Sequence, residues 1–152
     1  MSWTNSKVFI HTMEDALENT VALDADTDTF KAALYNNSIT PDQNVASAST
    51  AYNAGVWGVA NEQTDTNWPA GGRPLSVTSS AASGVYTFDS TDTAGAGNVT
   101  LANVYGCLVY DDSMTSPADQ GWCYNYFGGV QSVTAGTFTI VWHTNGVMNL
   151  TF

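Results

Sequence analysis

The sequence predicts a mainly β fold, an antiparallel β-sandwich or a jelly-roll-like barrel with one short helix and one long ordered loop. Threonine and aromatic residues, which fit the pleated surface of a sheet, are abundant, whereas Lys, Arg, Glu and Leu are scarce. Roughly seven or eight short segments alternate apolar and polar residues, and glycine-rich turns separate them. No strand–helix–strand spacing typical of a parallel sheet occurs, which favours antiparallel strands. The sequence has no internal repeat and no linker, so we expect a single domain over residues 1–152.

The first predicted elements are a short strand and a short helix. Residues 7–11 are apolar enough to form a strand. Thr12 is suited to cap a helix, and apolar residues recur from Met13 onward at the spacing of one helix face, which predicts a helix over 13–19. The N-terminal segment 1–12 is a candidate contact arm.

A strand and a long loop follow. The segment 29–35 predicts a strand with one buried face, because Phe30 and two further apolar residues alternate along it. Residues 45–70 contain aromatic residues and two glycines without a clear period. We expect a long ordered loop there, with room for one helical turn.

The second half of the chain has the pattern of β structure throughout. Strands are predicted over 73–78, 84–89, 98–101, 104–110, 122–127, 137–143 and 147–152. The last two enclose Asn145-Gly146, a dipeptide typical of a two-residue hairpin turn, so we expect them to pair. The expected core residues are Phe30, Leu34, Phe88, Leu108, Phe138, Ile140, Trp142 and Leu150.

The charge of the chain excludes several classes of function. It has 3 basic and 14 acidic side chains, a net charge of −11, and only 11% charged residues. Nucleic acids and anionic membrane surfaces are bound through Lys and Arg, so we expect neither as a partner. The N-terminal residues lack the pattern of a signal peptide, and no apolar segment is long enough to span a bilayer. We therefore expect a soluble protein that is synthesised in the cytoplasm.

The two cysteines allow two interpretations. Cys107 and Cys123 lie directly opposite each other if their strands form a hairpin centred on Thr115. This arrangement permits a cross-strand disulfide. The alternative is a pair of buried free thiols, the more common state in a protein made in the cytoplasm.

Acidic residues and histidines give no clear sign of a metal site or of catalysis. Asp24, Asp26 and Asp28 are candidate calcium ligands, but the positions where an EF-hand loop requires Gly and Glu hold Thr29 and Tyr35. A solvated acidic turn explains the three aspartates better, so we predict no metal and no cofactor. Neither His11 nor His143 has a partner at the spacing of a metal ligand or a catalytic triad, and no pair of carboxylates stands out for glycoside hydrolysis. We expect a binding or structural protein and not an enzyme.

Aromatic residues provide the candidate contact surface. The tryptophans are Trp3, Trp57, Trp68, Trp122 and Trp142. Tryptophans can stack on sugars, but they serve more often as core or interface anchors. Trp3, Phe9, Trp57 and Trp68 lie where the strand pattern is weak, and we expect them to contact a partner. The alternative is that they cap the ends of the core.

Several segments together resemble a known group of proteins. They are residues 4–7 (Thr-Asn-Ser-Lys), 26–35, 70–75, 108–112 and 132–140, followed by Trp142, Gly146, Asn149 and Leu150. In this order and at this length, the chain resembles a family of small virion proteins encoded by tailed bacteriophages of actinobacteria. The resemblance covers nearly the whole chain and is weakest over 36–69. Members of that family are labelled head decoration proteins or minor tail proteins.

The resemblance implies a structural role in the virion and assigns no catalytic residue. The first expectation is a capsid decoration protein on the outside of the head, which binds the major capsid protein and stabilises the shell against the pressure of packed DNA. Such a protein would act as a homo-oligomer, with a trimer favoured by local threefold symmetry. A minor tail, baseplate or host-binding tail protein is the second expectation. A carbohydrate-binding β-domain is the third.

Overall fold

The computed structural model describes residues 3–152 and has a mainly β, sandwich-like fold, which confirms the predicted fold class. The strands are β1 Lys7–Val8, β2 Phe30–Tyr35, β3 Arg73–Pro74, β4 Val77–Ala82, β5 Val85–Ser90, β6 Thr93–Ala94, β7 Val99–Asp111, β8 Gly121–Gly136, β9 Thr139–Ile140 and β10 Met148–Thr151. The helices are α1 Ile10–Glu18 and α2 Ser47–Thr50, and a 3₁₀ turn spans Val59–Asn61.

Two antiparallel sheets form the sandwich. The larger sheet has five strands in the order β1-β8-β7-β2-β3, and the smaller has three in the order β10-β5-β4. Aromatic rings join the two sheets, with ring centroids 4.8 Å apart between Phe30 and Phe88 and 5.3 Å apart between Phe88 and Trp122. These contacts mark the main core. Strands β6 and β9 form a separate two-stranded ribbon.

The larger sheet is buried on both faces. Along β2, Phe30 and Leu34 pack into the main core, whereas Tyr35 packs into a second core on the opposite face, and all three are at most 1% exposed. The second core is covered by residues that precede α1 and by the long loop between β2 and β3. The prediction of one buried face for this strand is therefore wrong, because the loop packs where solvent was expected.

Hydroxyl and carboxylate groups hold the long loop onto the larger sheet. The Tyr110 hydroxyl donates to the Gly71 carbonyl oxygen at 2.7 Å. The buried Glu62 carboxylate accepts from the Tyr52 hydroxyl at 2.9 Å and from the Gly71 N–H at 2.8 Å. Burial raises the pKa of Glu62, and these two hydrogen bonds oppose that rise. The loop contains α2 and the 3₁₀ turn, in agreement with the expectation of an ordered loop with a helical turn.

Helix α1 begins earlier than the sequence predicts. It spans Ile10–Glu18 instead of 13–19, and Phe9 occupies the N-cap position that was assigned to Thr12. Thr12 is buried inside the helix, where its Oγ1 donates to the Gly121 carbonyl oxygen at 2.6 Å. The hydroxyl therefore ties α1 to β8 and does not cap the helix. The strand expected over 7–11 is correspondingly short.

The predicted C-terminal hairpin does not form. A turn occurs at Asn145-Gly146, where Gly146 has a φ of 90° and its N–H donates to the His143 carbonyl oxygen at 2.8 Å. The flanking strands pair elsewhere, β9 with β6 and β10 with β5. Tertiary pairing with distant strands has overridden the local turn signal, so the dipeptide makes a turn between two sheets.

The other strand boundaries differ mainly in length. The predicted strand 73–78 is divided between β3 and β4, and the predicted strands 98–101 and 104–110 merge into β7. The strand predicted over 122–127 extends to residue 136 as β8, and the one predicted over 137–143 is shortened to β9. The two long strands β7 and β8 remain paired along their length despite several register shifts. Five predicted core residues are buried, namely Phe30, Leu34, Phe88, Leu108 and Ile140, whereas Phe138, Trp142 and Leu150 are half-buried.

Candidate functional site

An apolar groove lies on the surface between α1 and β10. It has a volume of about 400 Å³, and its lining includes Met13, Leu17, Leu23, Tyr86, Leu150 and Phe152. Leu17 is 86% exposed and Phe152 is 88% exposed, although both side chains are large and apolar. Contiguous apolar side chains in contact with solvent are typical of an interaction surface. We refer to this feature as the α1–β10 groove.

Local structure explains why the groove forms. Met13 and Leu17 are four residues apart on α1 and therefore share one face of the helix. Strand β10 is at the edge of the smaller sheet, with β5 as its partner and no strand on its other side among residues 3–152. An edge strand of this kind has unpaired backbone N–H and C=O groups. The groove thus combines apolar side chains with a free strand edge.

The rim of the groove is acidic. Glu18 follows Leu17 on α1, and Asp24 and Asp26 are the neighbours of the lining residue Ala25. All three carboxylates are exposed. None of the described residues that line the groove is basic. This charge favours a partner segment that carries Lys or Arg beside its apolar residues.

The three aspartates that were candidate calcium ligands form a turn. Asp24 Oδ1 accepts from the Asp26 N–H at 3.0 Å, and Asp28 Oδ2 accepts from the Asp24 N–H at 2.7 Å. The Asp26 carboxylate accepts from the Ser79 hydroxyl. Over residues 3–152, no group of three or more His, Cys, Asp or Glu side chains is arranged to hold a metal ion.

Asp28 lies beside a second carboxyl group, that of the buried Asp111. Asp111 Oδ1 accepts from the Ser113 N–H at 2.9 Å and the Ser113 hydroxyl at 2.6 Å, whereas its buried Oδ2 has no donor among the described residues. Burial raises the pKa of Asp111, the hydrogen bonds from Ser113 oppose this rise, and the Asp28 carboxyl adds to it. The two carboxyl groups can hydrogen bond to each other only when one of them is protonated.

The four aromatic residues expected to form a contact surface are buried in the protein's own core. Trp3 is 3% exposed, and Phe9, Trp57 and Trp68 are 0% exposed. Trp57 packs between Trp3 and Phe9 in the second core, with ring centroids 5.7 Å and 6.1 Å away. The expectation that they are exposed is wrong, because the loop and the N-terminal residues fold over the larger sheet. The alternative, in which they complete the core, is correct.

The N-terminal segment 1–12 is not a free arm over the residues that the structure describes. Trp3 Nε1 donates to the Asn36 carbonyl oxygen at 2.9 Å. Lys7 pairs with Tyr124 across β1 and β8. Residues 1 and 2 of the predicted arm lie outside the described residues.

Cys107 and Cys123 are free and buried. A register shift between Val109 and Tyr110 places Cys107 opposite Asn125 and Cys123 opposite Val109. The symmetrical register that would place the cysteines opposite each other is therefore wrong. Burial raises the pKa of both thiols, that of Cys123 to about 12. The alternative of two buried thiols describes the structure.

The two histidines have local partners. His11 Nδ1 lies 2.5 Å from Glu14 Oε2 on α1, where both side chains are partly exposed. His143 is exposed, and its Nδ1 accepts from the Asn145 N–H at 3.1 Å. Neither contact includes a Ser or Cys nucleophile.

Comparison with known proteins gives no match to this chain: no family model, curated protein or solved structure is significantly similar to it. Among residues 3–152, no helix is both long and apolar enough to cross a membrane. The functional interpretation therefore depends on the residues of the chain, and the α1–β10 groove is the feature best suited to binding a partner.

Proposed function

We propose that this protein is a structural component of a bacteriophage virion, which binds the outer surface of the capsid and stabilises the shell. The observation that carries the proposal is the α1–β10 groove, where Leu17 and Phe152 are exposed beside an unpaired strand edge. The resemblance to small virion proteins of actinobacteriophages supports the same role. We propose no catalytic activity.

The partner in this proposal is an extended segment of the major capsid protein. Its backbone would pair with the free edge of β10, and alternate apolar side chains would enter the groove beside Leu17 and Leu150. Lys or Arg residues in that segment would face Glu18 and Asp24 on the rim. A second copy of this acidic chain would meet repulsion at the same place.

Many copies on one shell would convert a modest contact into a large stabilisation of the particle. A homo-oligomer, with a trimer favoured, would match a local threefold position on the head. The groove would then face the capsid, and a different surface would join the copies.

The first test measures binding of the purified protein to phage heads that lack it. We expect the wild-type chain to sediment with the heads and to raise the temperature at which they release DNA. The double variant L17Q/F152Q should bind at least about tenfold more weakly, because each change removes an exposed apolar contact without disturbing the core. Val59 is 52% exposed and lies outside the groove, so V59Q is the matched control and should bind like the wild type.

The outcomes separate the groove from the proposed role. If L17Q/F152Q binds heads as the wild type does, the groove is not the contact surface. If the wild type does not bind heads at all, the decoration role is wrong.

A minor tail or host-binding tail protein is the second candidate, and a surface cleft lined by the half-exposed rings of Phe138 and Trp142 favours it. Copy number distinguishes the two roles, since a decoration protein covers the head and a tail-tip protein is present in few copies. Immunogold labelling of intact particles should mark the head if the first proposal is correct. Label confined to the tail would support the second candidate, and unlabelled particles would contradict both.

A further inference from the structure

A second depression lies on the surface between β8 and the segment around β9. It has a volume of about 460 Å³ and shares no lining residue with the α1–β10 groove. Its lining includes the rings of Tyr126, Phe127, Phe138 and Trp142 together with Gln131 and His143. We refer to it as the aromatic cleft.

The rings of the aromatic cleft are held in place by the protein. Phe138 is half-buried, and its ring meets that of Trp68 edge to face, with centroids 5.5 Å apart. Trp142 is also half-buried, and its Nε1 donates to Thr93 Oγ1 at 3.1 Å. Because these rings are fixed while part of each stays exposed, a ligand that stacks on them would cost little side-chain entropy.

The polar side chains of the cleft include an amide, a hydroxyl and an imidazole. The Gln131 side chain is exposed and has no hydrogen-bond partner among the described residues. Thr139 is exposed as well. His143 uses Nδ1 to accept from the Asn145 N–H, which leaves Nε2 for a ligand. These groups can donate to and accept from hydroxyl groups.

The composition of the lining specifies the class of ligand. Among residues 3–152, no Asp, Glu, Lys or Arg lines the cleft, although the chain contains 14 acidic residues. Among the described lining residues an anionic ligand would find no cation and a cationic ligand no carboxylate, while Asp92, outside the lining, uses Oδ1 to accept from the Trp142 backbone N–H at 3.3 Å. Fixed aromatic surfaces with amide and hydroxyl groups between them fit a ligand that has apolar C–H faces and many hydroxyl groups.

We propose that the aromatic cleft binds a neutral oligosaccharide, with Trp142 and Phe138 as stacking surfaces and Gln131 and His143 as hydrogen-bonding groups. Of the five tryptophans, Trp142 alone lines the aromatic cleft. The other four, Trp3, Trp57, Trp68 and Trp122, are at most 5% exposed. The volume suits one or two sugar rings in contact with the protein at a time. The proposal does not depend on capsid binding, since the two surfaces have no residue in common.

The experiment is an NMR titration of the full chain with four neutral disaccharides: cellobiose, maltose, lactose and diacetylchitobiose. Sugar is added up to about 10 mM, which detects dissociation constants in the millimolar range. The indole N–H signal of Trp142, identified with W142F, and the side-chain amide signals of Gln131 are the reporters. We expect at least one sugar to move both signals saturably, while the indole signals of the four buried tryptophans stay in place.

Two exposed positions test the hydrogen-bonding role without disturbing the core. Q131A and H143A should each weaken binding by about tenfold, because each removes a side-chain hydrogen bond to the ligand. H143A also removes the acceptor of the Asn145 N–H, so Q131A is the cleaner test. Gln43 and His11 do not line the cleft, so Q43A and H11A are the matched controls and should bind like the wild type.

Three results would overturn the proposal. The first is that none of the four sugars moves the Trp142 signal, and the second is that Q131A and H143A bind as tightly as the wild type. The third is that galacturonic acid or sialic acid binds more tightly than every neutral sugar. Sugar binding with no binding to phage heads would contradict the decoration role and leave this site intact.

Discussion

At the scale of single residues, the carboxyl pair of Asp28 and Asp111 makes stability depend on pH. Burial and the Asp28 carboxyl raise the pKa of Asp111 from 3.8 to about 6. The folded protein therefore keeps a proton that the unfolded chain releases between these two values. The contribution of Asp111 to stability is fully present below its ordinary pKa and is lost as pH rises through the raised pKa. Glu62, whose pKa burial also raises, contributes with the same sign.

We expect D111N to reduce the pH dependence of the free energy of unfolding. Asn cannot ionise, and its side-chain oxygen can still accept from Ser113. Between about pH 4 and pH 6 the wild type should lose about 1–3 kcal/mol relative to the variant, because D111N removes the contribution of Asp111 while the contributions of Glu62 and the other carboxyl groups are common to both proteins. Urea unfolding at several pH values measures both slopes. D42N, at an exposed aspartate, is the control and should keep the wild-type slope.

The thiols of Cys107 and Cys123 should be unreactive in the folded protein. Both are buried and their pKa values are raised, so little thiolate is present at neutral pH. A thiol reagent such as DTNB is expected to react with neither cysteine in buffer and with both in guanidinium chloride. An intact mass lower by two hydrogen atoms, with no reaction after unfolding, would instead demonstrate a disulfide.

Residue-level prediction from the sequence succeeds where a side chain follows the local period. Phe30 and Leu34 are buried as the alternation of β2 requires. The Asp28–Asp111 pair has no such local signal, because the pairing of β2 with β7 joins residues far apart in the chain. The same limit explains why Trp3 and Trp57 were expected at the surface, since both are covered by contacts that only the folded loop creates.

At the scale of elements, one buried hydroxyl fixes α1 to the larger sheet. The Thr12 hydroxyl donates to the Gly121 carbonyl oxygen, and T12V keeps the shape of the side chain while removing that donor. We expect T12V to lower the free energy of unfolding by about 1–3 kcal/mol, the cost of a buried acceptor without a partner. T64V, at an exposed threonine whose hydroxyl makes no hydrogen bond among the described residues, should change it by less than about 0.5 kcal/mol. Equal effects in thermal or urea unfolding would contradict this role for Thr12.

Comparison of the predicted and observed elements shows which sequence signals are sufficient to predict strand pairing. The hairpin of β7 and β8 was predictable because two strongly apolar segments flank one polar loop. The Asn145-Gly146 signal gave a turn but not the pairing of its arms, since β5 and β6 provide partners that no local pattern reveals. The α1–β10 groove was missed for a related reason, because it needs a helix near one end of the chain and a strand near the other.

At the scale of the whole molecule, the net charge of −11 opposes compactness through self-repulsion. Salt screens that repulsion, and the screening length falls to about 8 Å at physiological ionic strength. We expect the melting temperature to rise by a few degrees between about 10 mM and 150 mM sodium chloride. Differential scanning calorimetry measures it, and sodium fluoride at equal ionic strength controls for specific anion effects. An unchanged or lower melting temperature would show that the charges are already well separated.

The pairing of β1 with β8 has a consequence for how the chain acquires its fold. The Tyr126 N–H donates to the Ser6 hydroxyl across 120 residues, so the N-terminal strand has no partner until β8 has been synthesised. Contacts over such distances make folding slow, on a scale of about milliseconds to seconds. During that interval Trp3 and Phe9 remain in solvent on the ribosome-bound chain, where they favour aggregation. We therefore expect a chaperone that shields this segment during synthesis to raise the yield of soluble protein.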